Sequence, residues 1–201
     1  MNKNRTPEEV KSEILKFMMA TKLGNAPHLD MMTLIVKAKE YLPGFNYLRV
    51  PDNEMPDALG MYDPNTNLLK IPERVFCAMN QDEPRARFTI AHEISHALLG
   101  HTEIRFRHTE LKAYEKAKPN IRREESEANR GAAFILAPDD VVATCTNIDE
   151  IMDRCGLSRK AAEIRKGEFD AEQRRKRGEQ RPLPFKVAEF LREAKKKGYK
   201  P

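Results

Sequence analysis

The 201-residue chain has no tryptophan, three cysteines and five histidines. It also lacks any apolar run near the roughly 18 to 20 residues needed to span a bilayer, which excludes a helical membrane protein. Met1 to Ala20 carries Glu8, Glu9 and Glu13 among its apolar residues. Neither a signal peptide nor a transit peptide has that pattern, so a cytoplasmic protein is expected. Cys77, Cys145 and Cys155 are odd in number and show no metal-ligand spacing. They read as reduced thiols in a reducing compartment, and a disulfide framework is excluded. Cysteine ligation of zinc is the weaker alternative, since a free cysteine behaves as a small buried hydrophobe. There is no internal repeat and no low-complexity tract.

What is present is an ordinary globular composition, 40% hydrophobic and 33% charged. That suits one domain with a core, plus an extension. The net charge of +5 is unevenly spread. From Arg159 to Pro201 there are 15 Lys and Arg against 7 Asp and Glu, a net +8, which leaves the remainder at −3. The basic C-terminal end suits an acidic partner or nucleic acid, or is simply a solvated helix face.

Thr6-Pro7-Glu8-Glu9 is a helix start, and Val10, Ile14, Phe17 and Met18 follow at helical spacing. A second helix is predicted from about His28 to Leu42, ended by Pro43-Gly44. Phe45 to Val50, Leu59 to Tyr62 and Leu68 to Ile71 read as strands, the last two joined by a turn at Asp63 to Asn67. Leu68 to Ile71 is taken as the edge to which an extended substrate would add. A short helix follows Pro72, and a longer one is expected from Pro84 through Leu99. Gly100 to Ile121 is polar, with some helix around Glu110 to Ala117. Arg122 to Leu136 is helical and stopped by Ala137-Pro138. Two helices flank Gly156-Leu157-Ser158. Glu168 to Gln180 reads as a linker or an exposed helix, and Phe185, Val187, Ala188 and Leu191 support a last amphipathic helix.

The string Phe88-Thr-Ile-Ala-His92-Glu93-Ile-Ser-His96-Ala-Leu-Leu99 is apolar on most sides, as buried helices are. Yet it holds two histidines and a glutamate. A buried ionised carboxylate is costly unless paired or near a metal. His92 and His96 lie one turn apart on one face and can share a tetrahedral Zn²⁺. Glu93, one residue round, can face the reacting water as general base. Two core histidines satisfied by hydrogen bonds are the blander reading.

An open zinc site needs a third protein ligand. His101 follows His96 by five residues, but the metzincin pattern fails, since Leu99 and Thr102 stand where its Gly and His would be. Among Glu124, Glu125 and Glu127, helical phase favours Glu125. It lies on a stripe with Ile121, Ala128, Ala132 and Ile135. Otherwise it is only a charge favouring the helix dipole. Asn129, one turn on, is placed to accept the spare N–H of a ligand histidine. His101, His108 and Tyr114 are candidates for an oxyanion donor or a substrate contact, and the sequence does not choose among them.

Arg87 to Leu99 resembles the active-site helix of the ImmA/IrrE family of bacterial metallopeptidases. Glu125-Ser126-Glu127-Ala128-Asn129, with Ala132 to Pro138, resembles its second helix. The resemblance runs from about Asp57 to Pro138, with a weaker echo to Lys166. It implies an α+β, zincin-like fold: a small sheet packed on an active-site helix, with a mostly helical C-terminal part. It also implies zinc on His92, His96 and Glu125, with Glu93 as catalytic base. The substrates it implies are helix-turn-helix repressors of phage, mobile-element or stress genes. Two departures are the long basic stretch Gly100 to Arg123, which bears on substrate choice, and Ala137, where the family often has methionine.

The expected organisation is a peptidase domain with N-terminal helices over 1–145, a helix-turn-helix-like segment over 146–168 and a basic extension over 169–201. In the middle segment, Ser158 caps a helix carrying Arg159, Lys160, Arg165 and Lys166, so contact with DNA stands beside simple packing on the peptidase core. A regulatory or immunity-type binding protein with a structural or vestigial zinc site is the other functional reading. The intact Glu93 favours the peptidase, because a structural site needs no base. Manganese in place of zinc stays open.

Overall fold

The structure is a computed structural model, and it describes residues 5–24, 28–102, 119–179 and 185–196. Helix α1, Pro7–Ala20, starts on a capping box: the Thr6 hydroxyl accepts from Glu9 N at 3.2 Å, and Glu9 accepts from Thr6 N at 2.8 Å. Two of the N–H groups that a helix start leaves over are thereby satisfied. Its buried residues are Val10, Ile14, Phe17 and Met18, the set given by the periodicity. Helix α2, Met31–Tyr41, is capped by Asp30, which accepts from Thr33 N at 2.6 Å.

Strands β1 (Asn46–Val50), β2 (Met61–Asp63) and β3 (Leu68–Pro72) form one sheet in the order β1-β3-β2. β2 and β3 are antiparallel, with Tyr62 opposite Leu69, and β1 runs parallel to β3. The hairpin turn is set by Asn67, at a left-handed φ of 50°, and by Asp63, which accepts from Asn65 N at 2.9 Å. This order corrects the expectation for Leu68 to Ile71. β3 is the central strand, so it has no open edge for a substrate to join; the edges are β1 and β2.

Helices α3 (Glu73–Asn80) and α4 (Pro84–Leu98) follow. Glu83 caps α4 by accepting from Ala86 N at 2.6 Å, and Pro84 opens the first turn. α4 is buried nearly throughout from Ala86 to Ala97. Its most extensive neighbour is α5, Pro119–Leu136, followed by α6, Asp139–Thr144. The two long helices approach closely because position 131 is glycine: a Cβ there would lie 2.7 Å from Ser95 Oγ.

Helices α7 (Ile148–Cys155) and α8 (Arg159–Lys176) flank Gly156. Gly156 closes α7 at φ 62°, the left-handed conformation that glycine adopts without strain. A Cβ on it would also meet Arg87 Nε at 2.6 Å. The last described helix is α9, Phe185–Lys196.

The chain divides into two compact units, Met1–Arg165 and Lys166–Pro201, and the division falls inside α8. The helix-turn-helix-like segment thus lies almost wholly in the first unit. There Ile151, Cys155, Leu157, Ala162 and Arg165 are buried. Arg165, one of the four cations weighed for DNA contact, is fully buried, donating to the Ala137 carbonyl at 2.9 Å and pairing with Asp139. Arg159 is paired with Asp149. In the second unit Lys166 pairs with Asp170 and Lys176 with Glu172. Among the described residues, no helix is long and apolar enough to cross a membrane. The stretch Glu110 to Ala117 lies outside the described residues.

Candidate metal centre

α4 brings His92, Glu93 and His96 into the interior, at 2%, 2% and 4% exposure. The one-turn spacing puts the two Nε2 atoms 3.0 Å apart. α5 supplies the third group. Glu125 Oε2 lies 3.3 Å from His92 Nε2, and Oε1 lies 3.3 Å from His96 Nε2. Zn–N bonds of about 2.0 to 2.1 Å at tetrahedral angles put donors about 3.3 Å from one another. The donor set therefore has the spacing, the residue types and the number that a zinc ion with one open position takes. It is also the one His/Cys/Asp/Glu cluster of metal-binding geometry among the described residues. Burial pushes the Glu125 carboxyl up, but the two histidine side chains beside it outweigh burial and hold it well below the usual carboxylate range.

Glu93 is fixed from the sheet side. Its Oε2 accepts from the backbone N–H of Tyr62 at 2.9 Å. Gly60 lets the chain pass close, since a Cβ there would sit 3.3 Å from Glu93 Cγ and 3.1 Å from Thr89 Cγ2. The backbone leading into β2 thus lies against the carboxylate side chain. Sequence reading placed the sheet before this helix but gave no sign of that contact.

The helical phase assigned to α5 needs correction. Glu124 and Glu127 are buried at 1% and 2%, whereas the Glu125 side chain keeps 21% exposure. The stripe holds at Ala128, Ala132 and Ile135, all buried, but near its start the inner face of α5 also buries Glu124 and Glu127, which the helical phase places off the stripe. Glu125 reaches the histidines from the border of that face. Asn129 is exposed. The group that meets His96 on its far side is His101, whose Nδ1 is 2.8 Å from His96 Nδ1. His101 Nε2 lies 3.2 Å from Glu127 Oε2, so both ring nitrogens are engaged away from the position an oxyanion donor needs. His108 and Tyr114 lie outside the described residues.

Fold and donor set together define a metallopeptidase-type protein: a small mixed sheet laid on a helix whose two histidines and glutamate face inward. The family model described as the IrrE N-terminal-like domain, a peptidase family, matches residues 48–166, and the chain belongs to this family, ImmA/IrrE. The zincin-like α+β fold follows from that membership. No curated protein matches the chain significantly. Among solved structures, a Mycobacterium tuberculosis transcriptional regulator is similar at 17% identity and a TM-score of 0.45, over 79% of this chain and 50% of that one. The chain thus spans half of that regulator's length.

Proposed function

We propose that this chain is a zinc-dependent endopeptidase, with zinc on His92, His96 and Glu125 and with Glu93 as general base. The observation that carries the reading is the convergence of three donors at 3.0 to 3.3 Å beside a buried glutamate that belongs to none of the three. A structural zinc site would normally be closed by a fourth protein ligand. When bound, the ion supplies Lewis acidity toward a water molecule and toward the peptide carbonyl.

The protein's own contribution is positioning and proton transfer. The Tyr62 N–H holds Glu93 Oε2 and so restrains the carboxylate. Glu93 takes a proton from the attacking water and then hands it to the leaving amide nitrogen as the C–N bond breaks. Burial of Glu93 keeps bulk water from competing for that proton. The substrate class is a protein, and the family resemblance favours a helix-turn-helix repressor. Contact with DNA through the basic C-terminal part is a further element of this reading. Of the four cations Arg159, Lys160, Arg165 and Lys166, Lys160 is the one left exposed outside an ion pair in the described structure.

The test is metal content on protein purified without chelator, next to two variants. About one zinc per chain is expected, lost in Glu125→Ala and kept in Glu93→Gln. Cleavage of repressor substrate by Glu93→Gln should fall by about 100-fold or more. Near-normal turnover by that variant sinks the base assignment. Zinc with no cleavage of any repressor would favour a regulatory binding protein instead.

A further inference from the structure

α4 ends in a way that sends the chain back under its own last turn. Gly100 takes φ 62°, and His101 N donates to His96 O at 3.1 Å. This is the hydrogen-bonded helix ending that a left-handed glycine permits. It brings the His101 ring edge-on to the His96 ring, with centroids 4.8 Å apart and both side chains buried. Glu127 lies beyond, 3% exposed, and is met by Arg5 twice: the backbone N–H at 3.3 Å from Oε1 and Nη1 at 3.2 Å from Oε2. Arg5 Nη2 also donates to the Leu99 carbonyl at 2.5 Å. Arg123 approaches the same carboxylate at 3.5 Å.

The order of these contacts dictates where the protons sit. A carboxylate paired with a guanidinium only accepts, so His101 Nε2 carries the hydrogen facing Glu127. A neutral His101 then has its lone pair on Nδ1. The 2.8 Å contact between the two Nδ1 atoms needs one hydrogen, and His96 must supply it. His96 is left with its lone pair on Nε2, the atom facing His92 and Glu125.

We infer that His101, Glu127 and Arg5 are positioning residues that fix the His96 tautomer and ring orientation for the metal. The proposal rests on the metal-centre reading above, but the tautomer it assigns exists without metal. It makes the first described residue of the chain part of a site otherwise built from α4 and α5. Outer partners of this kind, when removed, typically weaken metal binding about 10- to 100-fold.

The experiment uses the full chain and reads two quantities. Ring ¹⁵N shifts of the metal-free protein give the His96 tautomer, and competition with a chelator gives the zinc Kd. Wild type should show the Nδ1–H form of His96. His101→Phe keeps the ring volume and removes the acceptor; it should shift His96 toward the Nε2–H form and weaken zinc about 10- to 100-fold. Arg5→Met, at the partly exposed end of the chain of contacts, should fold in any case and weaken zinc by about threefold to tenfold. An Nε2–H tautomer in wild type overturns the inference, as does unchanged zinc affinity in both variants. A wild-type chain that takes up no zinc instead removes the metal reading, and the ring shifts then decide the tautomer alone.

Discussion

Two buried polar clusters lie in the first unit, and they are put together in opposite ways. Around Arg165 the charges close on themselves. The guanidinium donates to Ala137 O, pairs with Asp139 and lies 4.8 Å from the Phe134 ring centre, while Lys11 pairs with the same aspartate. Around His92 and His96 the groups converge instead on one another, three potential metal donors within 4.8 Å. A cluster that contains its own counter-ions holds helices together. A cluster of convergent donors has the make-up of a binding site rather than of a fold contact.

Breaking the closed cluster should give the largest loss of stability. Arg165→Ala leaves Asp139 without its buried partner and should cost about 3 to 5 kcal/mol, read by urea denaturation. Acid should reveal the same pair. Burial raises the Asp139 carboxyl, but bonds from Lys11 and Arg165 outweigh it and hold it below its ordinary value. Its contribution is full above the unfolded value near ~4 and is lost as pH falls through the lower folded one. Asp139→Asn should flatten the acid limb of a stability–pH profile, and an unchanged limb would discard that assignment.

The seam between the two long helices should give a middling effect. Gly131→Ala puts a methyl 2.7 Å from Ser95 Oγ, with another contact at 2.9 Å to Ser95 Cβ. Overpacking of that order costs about 1 to 3 kcal/mol, read as a lower melting temperature. It should also loosen zinc, since the shift separates the helix bearing the histidines from the one bearing Glu125.

The open cluster should give the smallest effect on the bare chain. Glu125→Ala should change metal-free stability by about 1 kcal/mol, because the Glu125 side chain, 21% exposed, can trade its contacts with the histidines for water. The same variant should lose the rise in melting temperature that added zinc gives wild type. A metal-free loss as large as that of Arg165→Ala would erase the contrast between the clusters.

The sequence reveals the two histidines and Glu93 because metal chemistry ties residue type to helical spacing. It reveals the capped start of α1 and the start of α4 at Pro84 for a similar reason, since such signals are local. Its failures share a cause. The sheet order hides because β1 pairs with β3 across the hairpin rather than with its neighbour in sequence. The inner face of α5 is read only in part, at Ala128, Ala132 and Ile135, because Glu124 and Glu127 are buried where periodicity assumes apolar residues. Asn129 is chosen by proximity along α5, whereas His101 arrives through the fold-back at Gly100. Arg5 cannot be found by any local rule, since it meets Glu127 across 122 positions.

That last separation has a consequence for how the protein is made. Arg5 is synthesised before Glu127, which it holds and which comes 122 positions later. At about 5 to 20 residues per second, translation alone keeps them apart for roughly 6 to 24 seconds. During that interval α1 exists without α5, its apolar face unburied. On the proposed zinc reading, metal acquisition then waits for the arrival of α5, and a nascent chain stalled before Glu125 would present both histidines without the third proposed ligand.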